Sequence, residues 1–160
     1  MAGSGGITVN ADATDQVVLE GLDFEGLNTG LNAINIVSAS SVIIRRSNIH
    51  RFTGNGVNLA GPAGAKVLVQ DCVISNNGGG VNVQGISGAA NTAIIDNSTI
   101  ETHVNFAAQA AAGGALYISS SNLIGSGPKV VLSGGGTFTS YGNNVIRGVS
   151  MAPTTTSPLQ

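Results

Sequence analysis

Residues 42–66 read VIIRRSNIHRFTGNGVNLAGPAGAK and residues 67–91 read VLVQDCVISNNGGGVNVQGISGAAN, two consecutive stretches of 25 residues with one pattern. Each opens on a β-branched run, breaks at a small polar residue (Ser47, Cys72) and returns to an isoleucine (Ile49, Ile74). Each then crosses a Gly/Asn turn and makes a second short apolar alternation. A period of about 20–50 residues marks a solenoid, in which each repeat buries its neighbour's face.

Working outward, the same run begins at positions 17, 42, 67, 93, 116 and 138, in steps of 25, 25, 26, 23 and 22. Side chains of a strand alternate between faces. That rule puts Val17, Val42, Val67, Ala93, Leu116 and Phe138 in one inward column, and Leu19, Ile44, Val69, Ile95, Ile118 and Ser140 in the next. After a two-residue corner come Leu22, Ser47, Cys72, Ser98, Ser121 and Asn143, then Phe24, Ile49, Ile74, Ile100, Leu123 and Val145. A further strand per coil contributes Ile34 and Ile36, Val57 and Leu59, Val81 and Val83, Val104 and Phe106, Val130 and Leu132. The run AAQAAAGGA at 107–115 reads as a corner, because it carries two glycines between two rungs. With rungs about 4.8 Å apart, six coils make a rod about 29 Å long.

Composition agrees with a single all-β domain. Charged residues are 9% of the 160, against about 25% in ordinary soluble domains. Aromatics are 4%, Trp is absent and there are 24 Gly. No apolar run approaches the roughly 18 residues of a membrane span, so no membrane insertion is expected. A net charge of −2 with six basic residues argues against nucleic acid, whose recognition needs clustered Lys and Arg. The lone Cys72 excludes an internal disulfide and any cysteine-based metal site. The glycine runs at 78–80 and 134–136 lack the following Lys-Ser/Thr of a phosphate loop. No cofactor and no metal is expected. Residues 1–6 read as a leader, 7–148 as the domain and 149–160, with two prolines and a threonine run, as an extended tail. An open solenoid end needs a cap, so either further coils precede Ile7 or the first rung docks on another chain.

The V-x-[IV]-x-x-[SC]-x-I rungs with an N-N-G-G-G-V-x-V turn resemble the right-handed parallel β-helix repeats of the pectate-lyase-like superfamily. The stretch SYGNN at 140–144 is similar to the last coil of uncharacterised, secreted bacterial β-helix proteins. The resemblance implies the right-handed fold over about six coils and a secreted, cell-surface or periplasmic location. Its activities range over lyases, hydrolases, epimerases, adhesins and binding proteins, so activity has to be argued from side chains.

Three outward constellations stand out. Glu25, His50 and Ser75 stack on adjacent rungs as a Ser-His-acid series would, but nothing around them implies oxyanion donors. Asp71 and Asp96 lie on successive rungs in neighbouring columns, beside Arg45 and Arg46. Paired carboxylates cleave glycosidic bonds, and the resembling lyases use a basic residue with acid-bound calcium. The structural reading pairs Arg45 with Glu20 and Arg46 with Asp71 across rungs, each worth about 0.2–1 kcal/mol. Finally Val18, Ile43, Leu68, Ile94 and Tyr117 all point outward, forming an apolar stripe about 19 Å long. Such a stripe needs cover, either a second copy of the chain or the tail 149–160. Two functions fit this pattern. One is a non-catalytic structural, adhesive or glycan-binding module that self-associates through the stripe. The other is a polysaccharide lyase or glycoside hydrolase using Asp71, Asp96, Arg45 and Arg46.

Overall fold

The computed structural model describes residues 4–61, 64–86, 90–148 and 152–157; the remaining parts of the expected leader and tail lie outside the described residues. Three parallel sheets run the length of a solenoid, and each coil gives one strand to each sheet. Sheet 1 stacks Ile7–Asn10, Ile34–Ser38, Asn55–Leu59, Gly79–Gln84, Phe106–Ala111 and Val130–Leu132. Sheet 2 stacks Gln16–Glu20, Ser41–Arg45, Lys66–Gln70, Thr92–Asp96, Ala115–Ser119 and Thr137–Ser140, with Thr155–Thr156 added at the end. Sheet 3 stacks Asp23–Glu25, Asn48–His50, Val73–Ser75, Thr99–Glu101, Asn122–Ile124 and Val145–Ile146.

The inward columns of sheet 2 stack in the register read from the sequence. From the second coil on they are buried, Ile44, Val69, Ile95 and Ile118 with no exposed surface. In the first coil Val17, Leu19 and Phe24, on the end strands of their sheets, are only partly covered.

Two expectations fail in the later coils. The alanine run is not a corner: Phe106–Ala111 is a strand, and Ala108 and Ala110, not Val104 and Phe106, take the inward positions between Val81 and Val130 and between Val83 and Leu132. Val104 is 78% exposed. Phe106 pairs with Gly79, and a Cβ on that glycine would stand 2.6 Å from the ring, so the aromatic occupies the space the glycine leaves. Alanine has little strand preference of its own, and here its two neighbours in the stack decide. In the last coil the corner holds one more residue than its predecessors. Gly142, at φ +83°, absorbs the extra residue. Asn144 therefore replaces Asn143 beneath Ser121, and Ile146 replaces Val145 beneath Leu123. Val145 is left 41% exposed.

Candidate functional site

The corner between sheets 2 and 3 places most of the ionisable candidates. Its first residue is left-handed in every coil: Gly21, Arg46, Asp71, Asn97, Ser120 and Gly142 all have φ between 44° and 83°. From the second coil on, its inward residue is a small polar side chain that bonds to the backbone, where the first coil has Leu22. Ser47 Oγ donates to the Arg45 carbonyl at 2.9 Å and accepts from the Leu22 amide at 3.1 Å. Ser98 donates to Asp96 O at 2.8 Å and accepts from the Cys72 amide at 3.1 Å; Ser121 repeats both contacts one coil on. Cys72 occupies the same column, donating its thiol to Gln70 O at 3.1 Å. Burial pushes its pKa up, which suits a packed thiol and not a nucleophile.

Asp71 is thus a corner residue, and its carboxylate accepts from Asn97 Nδ2 at 2.6 Å. Asp96 ends its strand and accepts from Ser119 Oγ at 2.6 Å and Gln70 Nε2 at 3.3 Å. Arg45 pairs with Glu20 as expected, Nε and Nη2 lying 2.8 and 2.7 Å from Oε2. Arg46 does not reach Asp71. It joins Arg45 on Glu20, while the Asp71 carboxylate takes its donor from Asn97 of the following coil. One carboxylate therefore holds two guanidiniums in the first two coils, while among the described residues no basic side chain pairs with Asp71 or Asp96. The flank of sheet 2 is positive at one end and negative at the other.

The Ser-His-acid series does not assemble. Glu25, His50 and Ser75 are in register, but Glu25 pairs with Arg51, His50 Nε2 lies 3.4 Å from Asp23 Oδ1, and Ser75 is buried.

A recess of about 540 Å³ at the corner between sheets 3 and 1, lined by Phe52, Asn76, Asn77, Thr102 and His103 among others, had no signal in the sequence. Its buried polar groups serve the backbone. Asn77 accepts from the Phe52 amide at 2.9 Å and donates to Ile49 O at 3.2 Å. His103 takes the same place one coil later: Nδ1 lies 3.3 Å from both the amide nitrogen and the carbonyl oxygen of Asn77, and Nε2 lies 3.1 Å from Ile74 O. Burial, with a smaller contribution from Lys129, lowers the pKa of His103 against the opposing effect of its backbone bonds. Among the described residues no group of three His, Cys, Asp or Glu side chains could hold a metal ion.

What stands open is the outward face of sheet 2. Val18, Ile43, Leu68, Ile94 and Tyr117 stack in register, followed by Thr139. Val18 is 48% and Ile94 37% exposed, and the others are half-buried by their neighbours in the stack. The described part of the tail does not cover them. Thr155–Thr156 instead extends sheet 2 beyond Thr137–Ser140, pairing with Thr139 and Ser140. Polar columns frame the stripe: Gln16, Ser41, Lys66 and Thr92 on one side, Glu20, Arg45, Gln70, Asp96 and Ser119 on the other.

The family described as right handed beta helix region matches residues 2–148. No curated protein and no solved structure matches the chain.

Proposed function

We propose, for a chain that belongs to the right-handed β-helix family, a non-catalytic scaffold role in which the outward face of sheet 2 binds a second copy. The observation that carries this reading is the in-register stripe Val18–Ile43–Leu68–Ile94–Tyr117 on a flat face framed by polar columns. Interfaces have this anatomy, an apolar centre inside a polar rim. Carbohydrate cleavage through Asp71 and Asp96 is the weaker reading, because both carboxylates are engaged by neutral donors of adjacent coils.

The face measures about 24 by 13 Å, roughly 300 Å² per copy, which places the contact among small, transient interfaces. Light scattering over a concentration series is the test. Mass should rise with concentration, and Leu68→Asp should hold the chain monomeric without altering its circular dichroism. A wild-type chain that stays monomeric to about 1 mM overturns the reading.

A further inference from the structure

We infer that two copies meet across sheet 2 with their solenoid axes antiparallel, so that Arg45 of each copy faces Asp96 of the other. This rests on the stripe being a self-association surface, and adds how the two surfaces engage.

A face that binds its own copy does so about a two-fold axis. With strands aligned, as facing sheets pack, that axis runs either along the solenoid or along the strands. An axis along the solenoid sets each coil against itself and exchanges the flanks. Given the registers of sheet 2, Arg45 then meets Ser41, Asp96 meets Thr92 and Glu20 meets Gln16. Lys66 meets Gln70, so no two charged side chains are set in register. An axis along the strands through Leu68 reverses the coil order and keeps the flanks. Val18 then faces Tyr117, Ile43 faces Ile94 and Leu68 faces its own copy.

On the charged flank the same operation sets Arg45, which with Arg46 shares Glu20, opposite Asp96, which has only Gln70 and Ser119. Each copy thereby meets the charge its own coils leave uncompensated. Two like-charge encounters fall on the axis: Lys66 with its own copy on the other rim, where a flexible stem carries the ammonium into water, and Asp71 with its own copy at the corner beyond the strand, where Asn97 holds each carboxylate. Facing charges of opposite sign set orientation and partner choice more than affinity, which is the role they have here.

Disulfide trapping separates the two axes. In a Cys72→Ser background, chains carrying Ile43→Cys and chains carrying Ile94→Cys are oxidised alone and as a mixture. Both positions point outward, so neither substitution touches the core, and circular dichroism checks the fold. The antiparallel arrangement gives the mixed 43–94 dimer and little of either homodimer. Dominant 43–43 and 94–94 dimers would overturn the arrangement while leaving the stripe as the contact. No trapped dimer in any sample, together with a monomer by light scattering, removes the self-association reading itself. Independently, Asp96→Arg should weaken wild-type association about tenfold, and adding Arg45→Asp should restore it; equal weakening by both variants counts against the Arg45–Asp96 contact.

Discussion

Sheets 1 and 2 share one backbone geometry and present opposite outward columns. On sheet 1 the column runs Thr8, Asn35, Asn58, Asn82, Gln109, Val131. Asn58 Nδ2 donates to Asn35 Oδ1, and Asn82 Nδ2 to Asn58 Oδ1, each at 2.8 Å. Asn82 is 3% exposed, and its Oδ1, next to Gln109 in the stack, takes no donor among the described residues. On sheet 2 the equivalent column is Val18, Ile43, Leu68, Ile94, Tyr117. A ladder of amides spends most of its bonding capacity on the next coil and leaves little for a partner. A ladder of aliphatic side chains hides its flanks in the stack but keeps its outer surface in water. In a solenoid, then, closed and open faces are set by the residue type repeated in one column.

Breaking the closed face should have the largest effect on stability. Asn58→Leu strands the Asn35 oxygen and an Asn82 amide hydrogen at once, and should cost about 1–3 kcal/mol in urea unfolding. Converting Asn35, Asn58 and Asn82 together to Leu removes both partners of each bond, so the triple variant should lose less than three times that amount. It should also assemble beyond a dimer in light scattering, because a second apolar stripe has been made.

The corner that feeds sheet 1 can be tested by pH. His103 has a lowered pKa in the fold, so below its ordinary value near 6.5 the unfolded chain takes up a proton that the folded chain resists. Its contribution is fully present above that pH and is lost as pH falls through the folded value. The urea midpoint should drop on acidification. His103→Asn, which takes the part Asn77 plays one coil earlier, should flatten that drop while association through sheet 2 at neutral pH is unchanged.

The smallest effect is expected inside the corner of sheets 2 and 3. Cys72→Ser places a hydroxyl where Ser47, Ser98 and Ser121 already carry one, with Gln70 O still there to accept. It should shift stability by less than about 1 kcal/mol. Because the thiol pKa is raised by burial, the wild type should lose stability as pH rises above 9, and the serine variant should lose less.

Much of this molecule was legible in the sequence. Period-2 alternation repeated at nearly constant steps gives the same inward column on every coil, so Val42, Val67 and Ala93, or Ile44, Val69 and Ile95, could be stacked from the sequence and do stack. The outward stripe came from the same rule, as did the Arg45–Glu20 pair, whose members share a column.

Local pattern could not supply the features that depend on the neighbouring coil. Ala108 and Ala110 form a strand because Val81 and Val83 on one side and Val130 and Leu132 on the other hold them there. The extra residue around Gly142 moved Ile146 inward and Val145 outward, since one residue more in a corner exchanges the two faces of the next strand. Arg46 pairs with Glu20 and not with Asp71, whose carboxylate is engaged by Asn97 of the following coil. The order of residues thus determined which columns exist and what each is made of. Tertiary structure decided the register at irregular corners and which polar groups satisfy one another, because a hydrogen bond depends on distance and angle between coils and a sequence period carries neither.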